Sequence, residues 1–143
     1  MKQTAILLNL TVDDFIANAA DVNWDNHTAP GKWTNKETLG HLIDSAHINL
    51  QRFVRCTFEE GFKLIYHQDE WVKAQHYAIA NAAELLKLWE LVNLQIVRVL
   101  ANYPADRTQI TCDNNRGEPI YNTIEFIAQD YVAHMQHHLK QLV

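Results

Sequence analysis

The stretch that decides the fold is Ile124–Leu142, IEFIAQDYVAHMQHHLKQL. Ile124, Ile127 and Tyr131 recur at steps of three or four, the period of one face of an α-helix. His134, His138 and Leu142 continue the same stripe. An apolar stripe with this period turns toward a core. It therefore carries two imidazoles inward, four residues apart and over one spot. His137 falls with Asp130, Ala133 and Lys140 on the opposite side, so the adjacent pair His137–His138 divides into one outward and one inward ring.

Two neighbouring inward histidines are costly without partners. A buried ring nitrogen that lacks a hydrogen bond costs about 1–3 kcal/mol, and two protonated rings repel. Either both are satisfied within a core or a wet cleft, or a divalent cation binds the neutral rings. A third imidazole from another helix would complete a three-nitrogen site with a coordination position left open, the arrangement of a metal that does chemistry. His41, in ETLGHLIDSA (residues 37–46), is the candidate, since it borders the apolar stripe of another helical segment. Asp44, three residues after His41, and Asp130, four before His134, are carboxylates at a spacing that would let them orient a ligand ring through its second nitrogen. The alternative for each is a solvated helix-surface carboxylate. His47 has no partner at ligand spacing, and His27, His67 and His76 lie in irregular segments. His76 belongs to a segment expected to cover one end of the fold. Motifs of other chemistries are missing: HExxH, the ExxH pair of di-iron bundles, a Gly-rich phosphate loop and GxSxG.

Upstream, three more segments have helical period. The first is predicted from about Gln3 to Ala20, with Leu7, Leu8, Phe15 and Ile16 on its apolar side. The opening MKQTAILLNL has an apolar run too short for a signal peptide and reads as the beginning of that helix. Thr34 and Glu37 have capping-box spacing. They start a second helix, predicted over 35–60 and ended by Gly61, with Leu39, Leu42, Ile43, Ala46, Leu50, Phe53 and Val54 as its stripe. Residues 61–80 have no sustained period and predict a packed loop with one short helical turn. Asn81 and Glu84 open a third helix, whose stripe runs Leu85, Leu88, Trp89, Val92, Ile96, Val99 and Leu100 before Pro104. After a polar loop at 113–119, Asn122 and Glu125 have the spacing to cap the fourth. Little reads as strand. Four helices of this length predict one all-α four-helix bundle over residues 1–143.

Composition narrows the function. A net charge of −5 with no basic cluster gives no footprint for nucleic acid or anionic membrane. No stretch is apolar enough to span a bilayer. Cys56 and Cys112 form no disulfide framework or CxxC motif and are expected to be reduced thiols in a cytoplasmic protein. A metal enzyme acting on a small molecule is the leading expectation. A bundle that holds a metal or a small ligand without turnover, in a pocket of Trp71, Tyr77, Trp89 and Tyr131, is the alternative. A third is a structural protein whose exposed helix face makes a dimer.

KWTNKETLGHLIDSA (residues 32–46), DEWVKAQHY (69–77) and HMQHHLKQL (134–142) together resemble the DinB/YfiT-like superfamily. The resemblance implies an up-down-down-up bundle that often forms homodimers. It implies a divalent metal, commonly nickel or zinc, on three histidines that map to His41, His134 and His138. It also implies thiol-dependent transferase or isomerase chemistry with a small-thiol cosubstrate in some relatives, while a metal with an open position would serve hydrolysis and thiol transfer equally.

Overall fold

The computed structural model describes residues 1–142. The Thr34–Glu37 capping box forms as predicted: Glu37 N–H donates to Thr34 Oγ1, and Thr34 N–H donates to Glu37 Oε2. It starts α2, Asn35–Arg55, which is buried nearly all round through its first three turns. The other long helices are α1, Lys2–Asn18, α4, Ala82–Ala101, and α5, Ile124–Leu142. A short α3, Gln68–Gln75, lies in the crossover between α2 and α4.

α1 packs against α4 and α5, and so does α2, so that the consecutive helices α1 and α2 stand diagonally across the bundle. Cross-helix contacts give the directions. The Met1 amino group meets Glu125 and Gln136 Nε2 donates to Thr11 Oγ1, so α1 and α5 run parallel. His41 meets His134 while Phe53 meets Tyr131, so α2 and α5 run antiparallel. Phe15 packs edge-on against Trp89, ring centroids 5.3 Å apart, near the end of α1 and the middle of α4. Tyr77, before α4, packs on Gly40, and Tyr103, after α4, donates to Phe53 O, so α2 and α4 are parallel. The result is the up-down-down-up order.

Four details differ from the sequence expectation. α2 stops at Arg55 rather than Glu60. Arg55 folds onto Glu59 with two 2.8 Å hydrogen bonds, and Arg107 reaches in to donate to the Cys56 and Glu59 carbonyls, ending the helix with protein partners for its last turn. Residues 61–80 hold a two-turn helix and a 3-10 turn at Tyr77–Ile79, not a loop with a single turn. Asn122 does not cap α5, because it is paired with Cys112 in a short antiparallel hairpin of β1, Thr111–Asp113, and β2, Tyr121–Thr123. Thr123 Oγ1 accepts from Phe126 N–H in its place. Leu7, Leu88 and Val54, assigned to apolar stripes, are exposed.

Candidate metal centre

Three local choices bring the rings together. The capping box fixes where α2 begins and so which way its seventh residue, His41, points. On α5, Ile127, Tyr131, Met135 and Leu139 are buried and dock the helix, setting His134 and His138 on the side facing α2. Gly40 lets the Tyr77 ring lie directly on the α2 backbone, since a Cβ there would come within 2.1 Å of it.

The three imidazoles converge. His138 Nε2 stands 3.2 Å from His134 Nε2, which stands 3.4 Å from His41 Nε2. One nitrogen from each ring lies within 4.8 Å of the others. Nitrogen ligands at about 2.0–2.1 Å from a tetrahedral ion are about 3.3 Å apart, so the spacing matches a shared cation. His41 is 1 % exposed. Its Nδ1 lies 2.9 Å from the Tyr66 hydroxyl, whose own hydrogen faces the His41 carbonyl at 3.5 Å. With Nδ1–H donating to Tyr66, the Nε2 lone pair would be left aimed at the other two rings. Burial, with the neighbouring His134 and His138, pushes the His41 imidazole down to about 3, and burial pushes His138 down to about 4. Burial also lowers His134, against the opposing pull of Asp130. All three rings are therefore neutral at pH 7. His138 Nδ1 is buried with no protein partner.

Neither carboxylate bonds a histidine, and Asp130 is the exposed helix-surface carboxylate that its spacing also allowed. Asp44 is fully buried, but its Oδ1 accepts from the Tyr77 hydroxyl at 2.6 Å and from Gln75 at 2.9 Å, not from a histidine. It anchors the crossover onto α2. Asp130 is exposed, acts on His134 by charge and forms no hydrogen bond with it. His137 is exposed, as its side of the helix predicted, and so are His27, His67 and His76. Among the expected pocket aromatics, Trp89 is fully buried core, while Tyr131 donates to Asn93 and also lines the cleft beside His41 and His134. Sequence reasoning missed Tyr66 and Trp33, whose ring lies 5.1 Å from that of His41. Both stand in irregular chain, where periodicity carries no signal. Cys56 and Cys112 are free and fully buried.

Two clefts reach the centre. One of about 620 Å³ runs past His138 between Trp33 and Gln68. The other, about 200 Å³, opens beside His41, Tyr66 and His134, with Asp130 at its edge. No helix among the described residues is long and apolar enough to cross a membrane.

The same arrangement of helices is found in YfiT from Bacillus subtilis, described as a probable metal-dependent hydrolase with an unusual four-helix bundle topology. The TM-score is 0.86 at 20 % identity, over 98 % of this chain and 82 % of that one. No curated protein matches the chain. The sequence model of the DinB superfamily matches residues 11–142, nearly the whole bundle and all three converging histidines, and the chain belongs to that superfamily.

Proposed function

We propose that His41, His134 and His138 hold one divalent metal ion, zinc or nickel, and that the centre carries out hydrolysis or small-thiol transfer on a small-molecule substrate. The observation that carries this reading is the convergence of three neutral ring nitrogens at ligand-to-ligand distances. The description of YfiT as a probable metal-dependent hydrolase agrees with it. A divalent ion bound there supplies Lewis acidity that brings water or a thiol near its nucleophilic form at neutral pH.

The chain's own residues supply the rest. Tyr66 fixes the His41 ring through Nδ1, and Trp33 walls the other side of that ring. Asp130, at the cleft edge beside His134, acts on that ring by charge and is the carboxylate available to accept a proton from a reacting group. Three nitrogen ligands do not choose among zinc, nickel, copper and iron, so availability selects the metal.

Metal-free protein titrated with zinc and with nickel is expected to bind one ion per chain. His138→Ala is expected to weaken binding more than about a hundredfold. Equal affinity in parent and variant would overturn the reading. With metal loaded, turnover of an ester and amide panel separates hydrolysis from thiol transfer, which needs an added small thiol and an electrophile. A second copy of the chain is the proposed partner, as the resemblance to the superfamily implies. Light scattering showing a monomer would refute that assembly.

A further inference from the structure

The inner face of α2 carries a polar ladder that starts at His41 of the metal site and continues through three residues that site leaves unused. His41, Ser45, Asn49 and Arg52 follow at steps of four, four and three, and all four are buried. They line the 200 Å³ cleft that opens beside the histidines. The Arg52 side chain turns back toward the His41 end, with Nη1 donating to Asn49 Oδ1 at 3.2 Å and Nη2 to Leu64 O at 2.7 Å. Asn49 Nδ2 in turn donates to the Ser45 carbonyl at 2.9 Å.

Arg52 is only 7 % exposed, yet its partners are neutral oxygens. Among the described residues it forms no ion pair, and its Nε is buried without an acceptor. The ionisable groups that act on it are the Cys112 and Cys56 thiols, and Asp130, which lines the same cleft, forms no ion pair with it. A guanidinium withdrawn from water without a counter-charge is expensive to keep, and a fold that needed only shape would place an apolar residue there. Its planar donor set matches a carboxylate.

We infer that the cleft is an anion subsite in which Arg52, with Asn49 and Ser45, binds a carboxylate of the substrate while the reacting bond lies at the histidine end. His41 and Arg52 are eleven residues apart on one helix, about 16 Å along its axis, and the backward fold of Arg52 shortens that span. The substrate class is thus a short, elongated carboxylic acid whose charged group is remote from the bond that reacts. Binding energy at the remote group then positions the reacting end. The reaction part of this inference rests on the proposed metal centre; the binding part does not.

The test uses benzoate and its neutral isostere benzamide as probes, measured by calorimetry on metal-loaded and metal-free protein. The parent is expected to bind benzoate at least about tenfold tighter than benzamide in both forms. Arg52→Gln is expected to bring that ratio to about one while zinc affinity stays at the parental value, and Arg52→Lys to retain part of it. Should Arg52→Gln fold poorly, the ratio in the parent and its decline in Asn49→Ala give the same reading. A parental ratio near one, or a ratio kept in Arg52→Gln as direct ligation of benzoate to the metal would give, overturns the subsite. Failure of the parent to bind zinc would instead refute the metal centre, and the metal-free ratio would still report on Arg52.

Discussion

The α1–α4 half of the bundle and the α2–α5 seam are built on the same helical period and buried to a similar depth, but they are filled with opposite chemistry. Between α1 and α4 the inner positions are Leu8, Val12, Phe15, Trp89, Ile96 and Leu100, none more than 4 % exposed. The seam between α2 and α5 holds His41, Ser45, Asn49 and Arg52, each 7 % exposed or less, with His134 and His138 opposite. Apolar burial on the first side stabilises the fold at about 25 cal/mol per Å². The second side forgoes much of that gain and holds polar groups that the protein's own hydrogen bonds satisfy only in part. The first half supplies rigidity, and the seam exposes a site that this rigidity holds in place.

Exchanging the chemistry of one position in each half gives the largest predicted effects. Leu8→Ala leaves a cavity and should cost about 2–5 kcal/mol, about 5–15 °C in Tm, with zinc affinity of the folded protein unchanged. His138→Leu should do the reverse. Zinc binding should fall more than about a hundredfold, while metal-free protein melts no lower than the parent, because the variant removes a buried Nδ1 that has no partner. Calorimetry and thermal denaturation of both variants check this. A His138→Leu protein that melts as low as Leu8→Ala would show that the two halves contribute to stability alike. Gly40→Ala lies on the border between them. The added Cβ would meet Tyr77 at 2.1 Å, and overpacking of this kind costs about 1–3 kcal/mol. Because Gly40 precedes His41 and relief of the clash would shift the α2 backbone there, both Tm and zinc affinity should drop together.

Tyr66→Phe sharpens the comparison within the seam. It deletes one hydroxyl, leaves the packing ring, and frees His41 Nδ1 from its partner. Groups that orient a ligand ring in this way are worth about 10–100-fold in metal affinity, and Tm of the metal-free protein should change by no more than about 2–4 °C. An unchanged zinc affinity would mean that the Tyr66 contact does not set the ring.

What was legible in the sequence follows the same division. Period-3.6 stripes identified the four long helices, and the histidine pair on α5 stood out because it interrupted an apolar stripe with groups that are costly to bury. His41 was reachable through the spacing of the capping box and the resemblance to the DinB/YfiT-like superfamily. The ladder Ser45–Asn49–Arg52 carried the same kind of signal, polar residues at inward steps of four and three, and went unread because the flanking Leu42, Ala46 and Phe53 satisfied the stripe. Tyr66, Trp33 and the hairpin that displaces Asn122 depend on long-range contacts, with Tyr66 twenty-five residues from His41. Local period carries no trace of such contacts. Asp44 has the spacing of a ring-orienting carboxylate, but the crossover brings Gln75 of α3 and Tyr77 of the following 3-10 turn to it instead.

Asp44 gives the smallest predicted effect. Burial raises its pKa above the ordinary 3.8, against the hydrogen bonds from Tyr77 and Gln75, and its Oδ2 is buried without a partner. Between the unfolded and the raised folded pKa the native state holds more proton than the unfolded chain. Stability linked to this group is therefore complete below the ordinary carboxylate pKa and is lost as pH rises through the folded value. Asn cannot titrate, and Asp44→Asn keeps an oxygen to accept from Tyr77 and Gln75. The stability of the variant relative to the parent should accordingly improve as pH climbs from about 3 toward 7, by an amount on the order of 1 kcal/mol or less, and zinc affinity should not move. Asp44→Ala should be worse at every pH, since it strands a buried Tyr77 hydroxyl. A relative stability that is flat or declines with pH would mean that the carboxylate is held comfortably ionised. A loss of zinc affinity in Asp44→Asn would return Asp44 to the histidine cluster and erase its assignment to the scaffold.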